Sequence, residues 1–492
     1  MRRSTAAAWL KPTTQQAPSA SAGTKTAAGH WAESAIAAVT FLLAIWDIKV
    51  PSYWRDEAAT ISAVRRPLPA LLRMLTNVDA VHGTYYLIMW PVARIAGTGE
   101  LAMRLPSALA MSATAVLIVA IGRRVVSQRA GLAAGVVWAV LPVISWYGQD
   151  ARSYAMATTL ACAASYLLLR VLAGEVKARW YAVSLVALGA MNLFALLLLP
   201  AHGLTVLALA RDRAREMRRW LMVAGCTVLV IAPLMVVAWR QRADIEWIPP
   251  LNRHEADTMA AWGGTLAVSQ LAELIIVAGV ACAAAGGWLL LRNRFPGAFL
   301  ALCLPWALIP LAVLVMASKF MPAFEFRYVL ISVPALALLA GAAVSALGMA
   351  AGVAALVVLA LVSLPGQLGD RGPLGHYENL RQLDQIITDR QRPGDAVLYT
   401  WSGWRQAAAA YPYGLATLDD IGLGQTPLQA DNLLGTDLPE AAVVSKLAGI
   451  PRVWLVLLHY EPSDPLLVGH NFRLVQTWQI ADVWLQLYRR GR

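Results

Sequence analysis

Residues 328–365 read YVLISVPALALLAGAAVSALGMAAGVAALVVLALVSLP, a stretch without one Asp, Glu, Lys, Arg or His. A helix needs about 20 residues to cross the hydrocarbon of a bilayer. The stretch therefore holds two crossings, 328–345 and 348–365. Working outward, similar runs lie at 33–51, 102–121, 131–147, 153–173, 180–194, 195–210, 220–239, 267–291 and 297–317. The pair 180–210 reads as two helices turning near the outer surface, because Asn192, Pro200, His202 and Gly203 interrupt it. The expectation is an α-helical polytopic membrane protein with about eleven transmembrane helices.

Composition agrees. The 492 residues are 58% hydrophobic and 14% charged, and the mean hydropathy is +0.55. Soluble chains average about 45–50% apolar and about 25% charged residues. A single soluble domain is excluded, and so is disorder over most of the length. Lys and Arg number 41 against 29 Asp and Glu, a formal net charge of +12. Cytoplasmic loops of membrane proteins collect Lys and Arg, so the excess implies no nucleic-acid partner. Cys162, Cys226, Cys282 and Cys303 each sit in an apolar stretch and none forms a CxxC. They read as small buried hydrophobes, not as a disulfide or zinc framework.

Charge sets the topology. Residues 1–32 read as a disordered basic cytoplasmic tail, and 33–51 as an uncleaved anchor. With the amino terminus inside, the inner loops carry Arg123, Arg124 and Arg129, then Lys177 and Arg179. Arg211, Arg213, Arg215, Arg218 and Arg219 follow, then Arg292 and Arg294. The outer loops are poorer: Arg152; Arg240, Arg242 and Arg253; Lys319 and Arg327. That is the positive-inside pattern. Residues 82–97 are short for a span and contain Pro91 and Arg94. They are placed as a helix in the outer interface, within a first outer loop at 52–101. Residues 33–365 form the transmembrane domain that includes this loop.

From about 366 polar residues return. NLRQLDQIITDRQ (379–391) has helical periodicity, while AVLYT (396–400), VWLVLLHY (453–460) and VWLQLY (483–488) read as strands. Residues 366–492 are expected to be a small extracytoplasmic α/β domain. No internal repeat, P-loop or GxGxxG is present.

Three constellations could carry chemistry. Trp54-Arg55-Asp56-Glu57-Ala58 puts two carboxylates directly after the first span. A carboxylate half-buried beside lipid loses hydration and becomes a better base. The plainer alternative is a solvated loop cluster. Tyr147-Gly148-Gln149-Asp150-Ala151-Arg152-Ser153-Tyr154 offers a second carboxylate with an arginine and a tyrosine. These suit a sugar hydroxyl or a phosphate, or else a polar turn in which Asp150 caps the next helix. In Asp79-Ala80-Val81-His82-Gly83-Thr84-Tyr85-Tyr86, His82 opens the interfacial helix, and helix amino termini attract anions. Arg253, His254, Lys319 and Arg327 add cations that suit phosphate or merely anchor headgroups. His202, alone on an apolar helix, reads as a satisfied core histidine.

In order along the chain, WRDEA (54–58), HGTYYLIMW (82–90), MRLPSALA (103–110), GQDARSYA (148–155) and RY (327–328) resemble polytopic glycosyltransferases of the C superfamily (GT-C). Family 39 as found in actinobacteria, mannosyltransferase-like, is the closest group by these motifs. The resemblance covers about 50–365. It implies transfer of a sugar, mannose favoured over arabinose, galactose and glucose, from a polyprenyl-phosphate donor. The acceptor would be a lipid- or polymer-linked glycan on the outer face, and the anomeric centre would invert. It implies Asp56 as base, with Glu57 beside it and Asp150 as the second acidic position. His82, Tyr85, Arg152, Tyr154, Lys319 and Arg327 would contact the donor and its phosphate. Two departures stand out. The prolines of the HPPLYY found in many relatives are missing at 83–84, and Asp150 replaces the glutamate of QEAR. Asp56, Glu57 and Asp150 could converge on a divalent metal, but a monophosphate donor needs charge neutralisation less than a diphosphate does. No cofactor is required. The competing classes are a lipid or polysaccharide transporter or flippase, and a non-catalytic scaffold of envelope assembly.

Overall fold

A computed structural model of the chain describes residues 22–245, 248, 297–320 and 324–491. The run at 267–291, Arg253, His254, Cys282, Arg292, Arg294 and residues 1–21 of the basic tail lie outside the described residues.

In chain order the first helices are α1 (Ala22–Ile45), α2 (Arg55–Val64), α3 (Leu68–Asn77), α4 (Gly83–Ala96), α5 (Glu100–Val125), α6 (Gln128–Val140) and α7 (Pro142–Gly148). Then come α8 (Tyr154–Leu172), α9 (Ala178–Met191), α10 (Leu198–Leu209), α11 (Arg213–Arg240), α12 (Gly297–Ala317), α13 (Val333–Ala346) and α14 (Met349–Gly369). The rest alternates: α15 (Leu380–Arg390), β1 (Asp395–Tyr399), α16 (Arg405–Ala410), β2 (Asp419–Asp420), α17 (Glu440–Leu447), β3 (Arg452–Leu457), α18 (Pro465–Gly469), β4 (Phe472–Ile480) and β5 (Val483–Arg490). Two compact units result. One takes the chain up to Trp46 with Arg104–Leu368; the other takes Asp47–Met103 with Gly369–Arg492.

In the first unit the described residues account for part of the expected eleven spans, since the run 267–291 lies outside them. Six helical segments among the described residues are long and apolar enough to cross a membrane: α5, α8, α11, α12, Phe326–Ala346 and α14. A seventh exists if α6 and α7, bent by 65°, count as one span. The bend falls at Leu141, whose backbone is extended, because a residue before proline avoids the helical region. The apolar parts of α1, of α9 and of Leu193–Leu209 are shorter. The 180–210 run breaks at Asn192, not at Pro200. Asn192 is extended, and its side chain accepts from the Ala195 amide at 3.3 Å to start a 3₁₀ turn, Leu193–Leu197. Pro200 sits in the first turn of α10, where a missing N–H costs nothing.

Small residues and indole donors hold these helices together. A Cβ on Gly341 of α13 would lie 2.2 Å from the Ala134 nitrogen of α6, and one on Gly131 would lie 2.5 Å from the Val119 carbonyl of α5. Close backbone approach of this kind is typical of helices packed in lipid. Trp138 donates to the Met111 carbonyl at 3.1 Å, and Trp306 to that of Ile331 at 2.7 Å. His202 is fully buried, with Tyr181 Oη 2.9 Å from Nδ1 and Ser165 Oγ 3.0 Å from Nε2. It is the satisfied core histidine that its surroundings in the sequence predict. Cys162 and Cys303 are buried, Cys226 is exposed, and these three form no disulfide.

The second unit contains a five-stranded sheet of order β2-β1-β3-β5-β4. β1 runs parallel to β2 and β3, while β5 is antiparallel to β3 and β4. β3 is buried along its whole length, and Val453, Leu455 and Leu457 form a core with Val443 and Leu447 of α17. The three expected strands and the helix at 379–391 are present. β2, only two residues long, and β4 were not anticipated. A register shift between Leu474 and Gln476 breaks the period-two pattern of β4.

The sequence attached 52–101 to the membrane domain, but the structure groups Asp47–Met103 with the C-terminal sheet. The Tyr53 amide donates to Tyr411 Oη at 2.9 Å, and Arg66 to the Pro427 carbonyl at 3.1 Å. Arg73 pairs with Asp431 at 3.2 Å, and Asn77 donates to the Asp431 carbonyl at 3.2 Å.

Candidate active site

The carboxylate pair is placed by α2. Trp54 is extended at the N-cap, and Asp56 and Glu57 fall in the first turn, where the helix dipole favours negative charge. Successive helical residues point about 100° apart. Their environments differ accordingly: Asp56 is half-buried, while Glu57 is fully buried. Glu57 Oε2 lies 3.2 Å from Nδ1 of His376, whose side chain is also fully buried. Glu57 is therefore enclosed by protein, and Asp56 is the carboxylate of the pair that reaches the surface.

Arg55 is held just as specifically. Its amide donates to Glu378 Oε2 at 2.8 Å, and its guanidinium pairs with the same carboxylate. The guanidinium lies over Trp401 and Trp404, at 5.2 and 5.3 Å from the ring centroids, a cation–π arrangement. Burial pushes the Glu378 carboxyl above the usual range, against the opposing effect of Arg55. His376 and Glu378 thus clamp the amino end of α2. The sequence did not single them out, because 366–378 shows no periodicity. Tyr377 between them has φ 67°, a left-handed conformation that is uncommon for a bulky residue.

His82 occupies the N-cap position of α4, as expected, after a 3₁₀ turn, Ala80–His82. Its amide donates to the Asp79 carbonyl at 2.9 Å. Tyr86 Oη donates to Asp79 Oδ2 at 2.5 Å, which closes this turn onto α4. Tyr85 is buried, with its ring 6.4 Å from that of Tyr86.

In the first unit Asp150, Arg152 and Tyr154 are all buried. Ser107 Oγ donates to the Asp150 carbonyl at 2.6 Å, and Gln149 to that of Trp46 at 2.7 Å. Asp150 is not the helix cap: α8 has Ser153 at its N-cap, with no side-chain cap hydrogen bond. An aromatic chain joins this turn to the segment containing Arg327. The Tyr147 ring lies 4.7 Å from Trp146, 5.8 Å from Tyr154 and 6.5 Å from Phe326. Arg327 is largely buried, 4.0 Å from Glu325 and over the Tyr328 ring at 5.8 Å. The fold thus brings 146–154 and 326–328 together. Lys319 stays exposed in the turn after α12. Among the described residues no group of three or more His, Cys, Asp or Glu could hold a metal ion.

Residues 84–239 match the family described as dolichyl-phosphate-mannose-protein mannosyltransferase. The match includes Tyr85, Asp150, Arg152 and Tyr154, but not Asp56, His82, Lys319 or Arg327. No curated protein matches the chain. ArnT from Cupriavidus metallidurans in the apo state is similar with a TM-score of 0.58 at 14% identity, over 95% of this chain and 98% of that one. The same protein bound to undecaprenyl phosphate gives 0.56 at 14% identity, over 92% and 97%. The apo oligosaccharyltransferase of Archaeoglobus fulgidus gives 0.50 at 12% identity, over 87% and 69%. At such identities the shared property is the fold. The chain has the fold of the polytopic C-superfamily glycosyltransferases, the group its motifs resemble.

Proposed function

We propose that the chain is a multi-pass membrane glycosyltransferase that moves a sugar from a polyprenyl-phosphate donor to an acceptor hydroxyl on the extracytoplasmic face. The carrying observation is the extent of the shared fold. ArnT matches 95% of this chain, and the same protein is solved with undecaprenyl phosphate. Mannose is the sugar assigned first, since the matching family model carries that description. The amino terminus lies in the cytoplasm and Asp56 faces outward.

Asp56 is the base, the surface-reaching member of its pair. It takes the proton of the acceptor hydroxyl as the oxygen attacks the anomeric carbon. The bond from that carbon to the phosphate oxygen breaks, and its electron pair leaves with polyprenyl phosphate. Attack from the face opposite the phosphate inverts the centre. Cations stabilise the departing charge, a role assigned to His82, Arg152, Lys319 and Arg327. Tyr85, Asp150 and Tyr154 position the sugar. The polyprenyl chain contributes affinity by burial, about 0.8 kcal/mol per methylene. Glu57, enclosed with His376, holds α2 in place.

The test uses purified protein in lipid nanodiscs with a panel of radiolabelled polyprenyl-phosphate sugars and a lipid extract as acceptor. Wild type is expected to transfer one of them. Asp56→Asn is expected to abolish transfer with its melting temperature unchanged. Near wild-type transfer by Asp56→Asn would overturn the base, and cytosol-only labelling of a cysteine at position 56 would overturn the topology.

A further inference from the structure

We propose that the second unit carries a separate glycan-binding cleft, which takes the neutral sugar chain of the acceptor. Calling that chain the acceptor rests on the transferase reading above; the cleft itself does not. A cavity of about 540 Å³ opens in this unit, within the range of about 300–1,000 Å³ common for small-molecule sites. Neither Asp56 nor His82 lines it.

Part of its lining is a polar network. Glu100 Oε1 accepts from Arg381 at 2.6 Å and from Tyr411 Oη at 2.8 Å. Arg381 also donates to the Val50 and Lys49 carbonyls at 3.0 and 2.8 Å. Arg65 donates to Thr98 Oγ1 at 2.7 Å and to the Ala409 carbonyl. Both guanidiniums are thus committed to protein acceptors. The lining carboxylates, Glu100, Asp384 and Asp389, outnumber them three to two. Such a lining repels a phosphate and suits an uncharged ligand.

The rest of the lining offers what the network does not use. Gln385 and Asp389 are both exposed and lie four residues apart on α15, so they share one face. One is an amide, both donor and acceptor, and the other is an acceptor. Tyr413 is 70% exposed at the same cavity. An accessible ring packs on the C–H face of a pyranose, while the amide and carboxylate bridge neighbouring hydroxyls. A flat apolar surface beside paired polar groups matches a sugar, whose two faces differ in the same way.

The test is saturation-transfer NMR on the full chain in nanodiscs. The probes are linear neutral hexasaccharides of mannose, glucose, galactose and arabinose, with glucose 6-phosphate as the anionic control. At least one neutral hexasaccharide is expected to bind through its ring protons. Tyr413→Ala, and the double change Gln385→Ala with Asp389→Ala, should each weaken it at least tenfold, while Tyr413→Phe retains it. These positions are exposed, so the variants keep the fold. Silence from every neutral probe, binding unchanged in Tyr413→Ala, or binding of the phosphate sugar only would overturn the cleft. Asp56→Asn should keep full glycan binding. Binding without any sugar transfer by wild type would sink the transferase reading and leave the cleft standing. Transfer without binding would do the reverse.

Discussion

At the amino end of α2, three consecutive side chains meet three environments. Arg55 spreads over two indoles, Asp56 stays half-buried, and Glu57 is enclosed with His376. The sequence shows the carboxylate pair plainly, but not which member is reachable, since that depends on what packs against each side of one helical turn. The partner of Arg55 supports a pH prediction. Burial raises the Glu378 carboxyl in the folded state, so folding takes up a proton between the unfolded value, about 4.3, and the raised one. Its stabilising contribution is complete below the unfolded value and is lost as pH rises through the folded one. Thermal unfolding from pH 4 to 8 should therefore show a smaller decline in Glu378→Gln than in wild type. Asp384 and Asp420 are also raised by burial, so the slope flattens without vanishing. Arg327, proposed as a donor contact, is largely buried next to Phe326, whereas Lys177, to which no donor role is assigned, is exposed. Arg327→Ala should raise the donor KM at least tenfold more than Lys177→Ala does, and equal effects would remove Arg327 from the donor site.

Breaks in the helices follow rules that can be read locally, yet their positions follow packing. The residue before a proline avoids the helical region, and α6 and α7 part just before Pro142 by 65°, within a run that reads as one span. Asn192 and Pro200 are both plausible breakers, but only Asn192 caps a new turn. The α6–α13 contact depends on Gly341, where an added Cβ would meet Ala134 backbone atoms at 2.2 and 2.4 Å. Backbone cannot yield as a side-chain tip does. Gly341→Ala should lose about 1–3 kcal/mol of stability, seen as a lower melting temperature in detergent. Gly225 of α11 has nothing within 4 Å of its Cβ position. Gly225→Ala should be neutral or gain up to about 1 kcal/mol, from helix propensity.

The second unit is discontinuous in the chain, built from Asp47–Met103 and Gly369–Arg492. Trp404, Ala407, Ala410 and Tyr411 are buried in it, and α16 packs against α2. A fragment of residues 369–492 should keep its sheet, whose core is local to 396–488. It should nevertheless bind a hydrophobic dye and melt lower than the same fragment fused to residues 47–103. Equal melting of the two would show that the first loop adds nothing to this unit. Much of the molecule was legible beforehand: the apolar spans, the sheet's three central strands, the buried His202, and the motifs that pointed to the GT-C fold. Burial in lipid and strand periodicity write themselves into runs of neighbouring residues, so a linear reading finds them. The clamp of His376 and Glu378 on α2, the pairing of the first loop with the C-terminal sheet, and the enclosure of Glu57 but not Asp56 were not legible. Those were decided by contacts between positions more than 300 residues apart, and such contacts leave no local pattern.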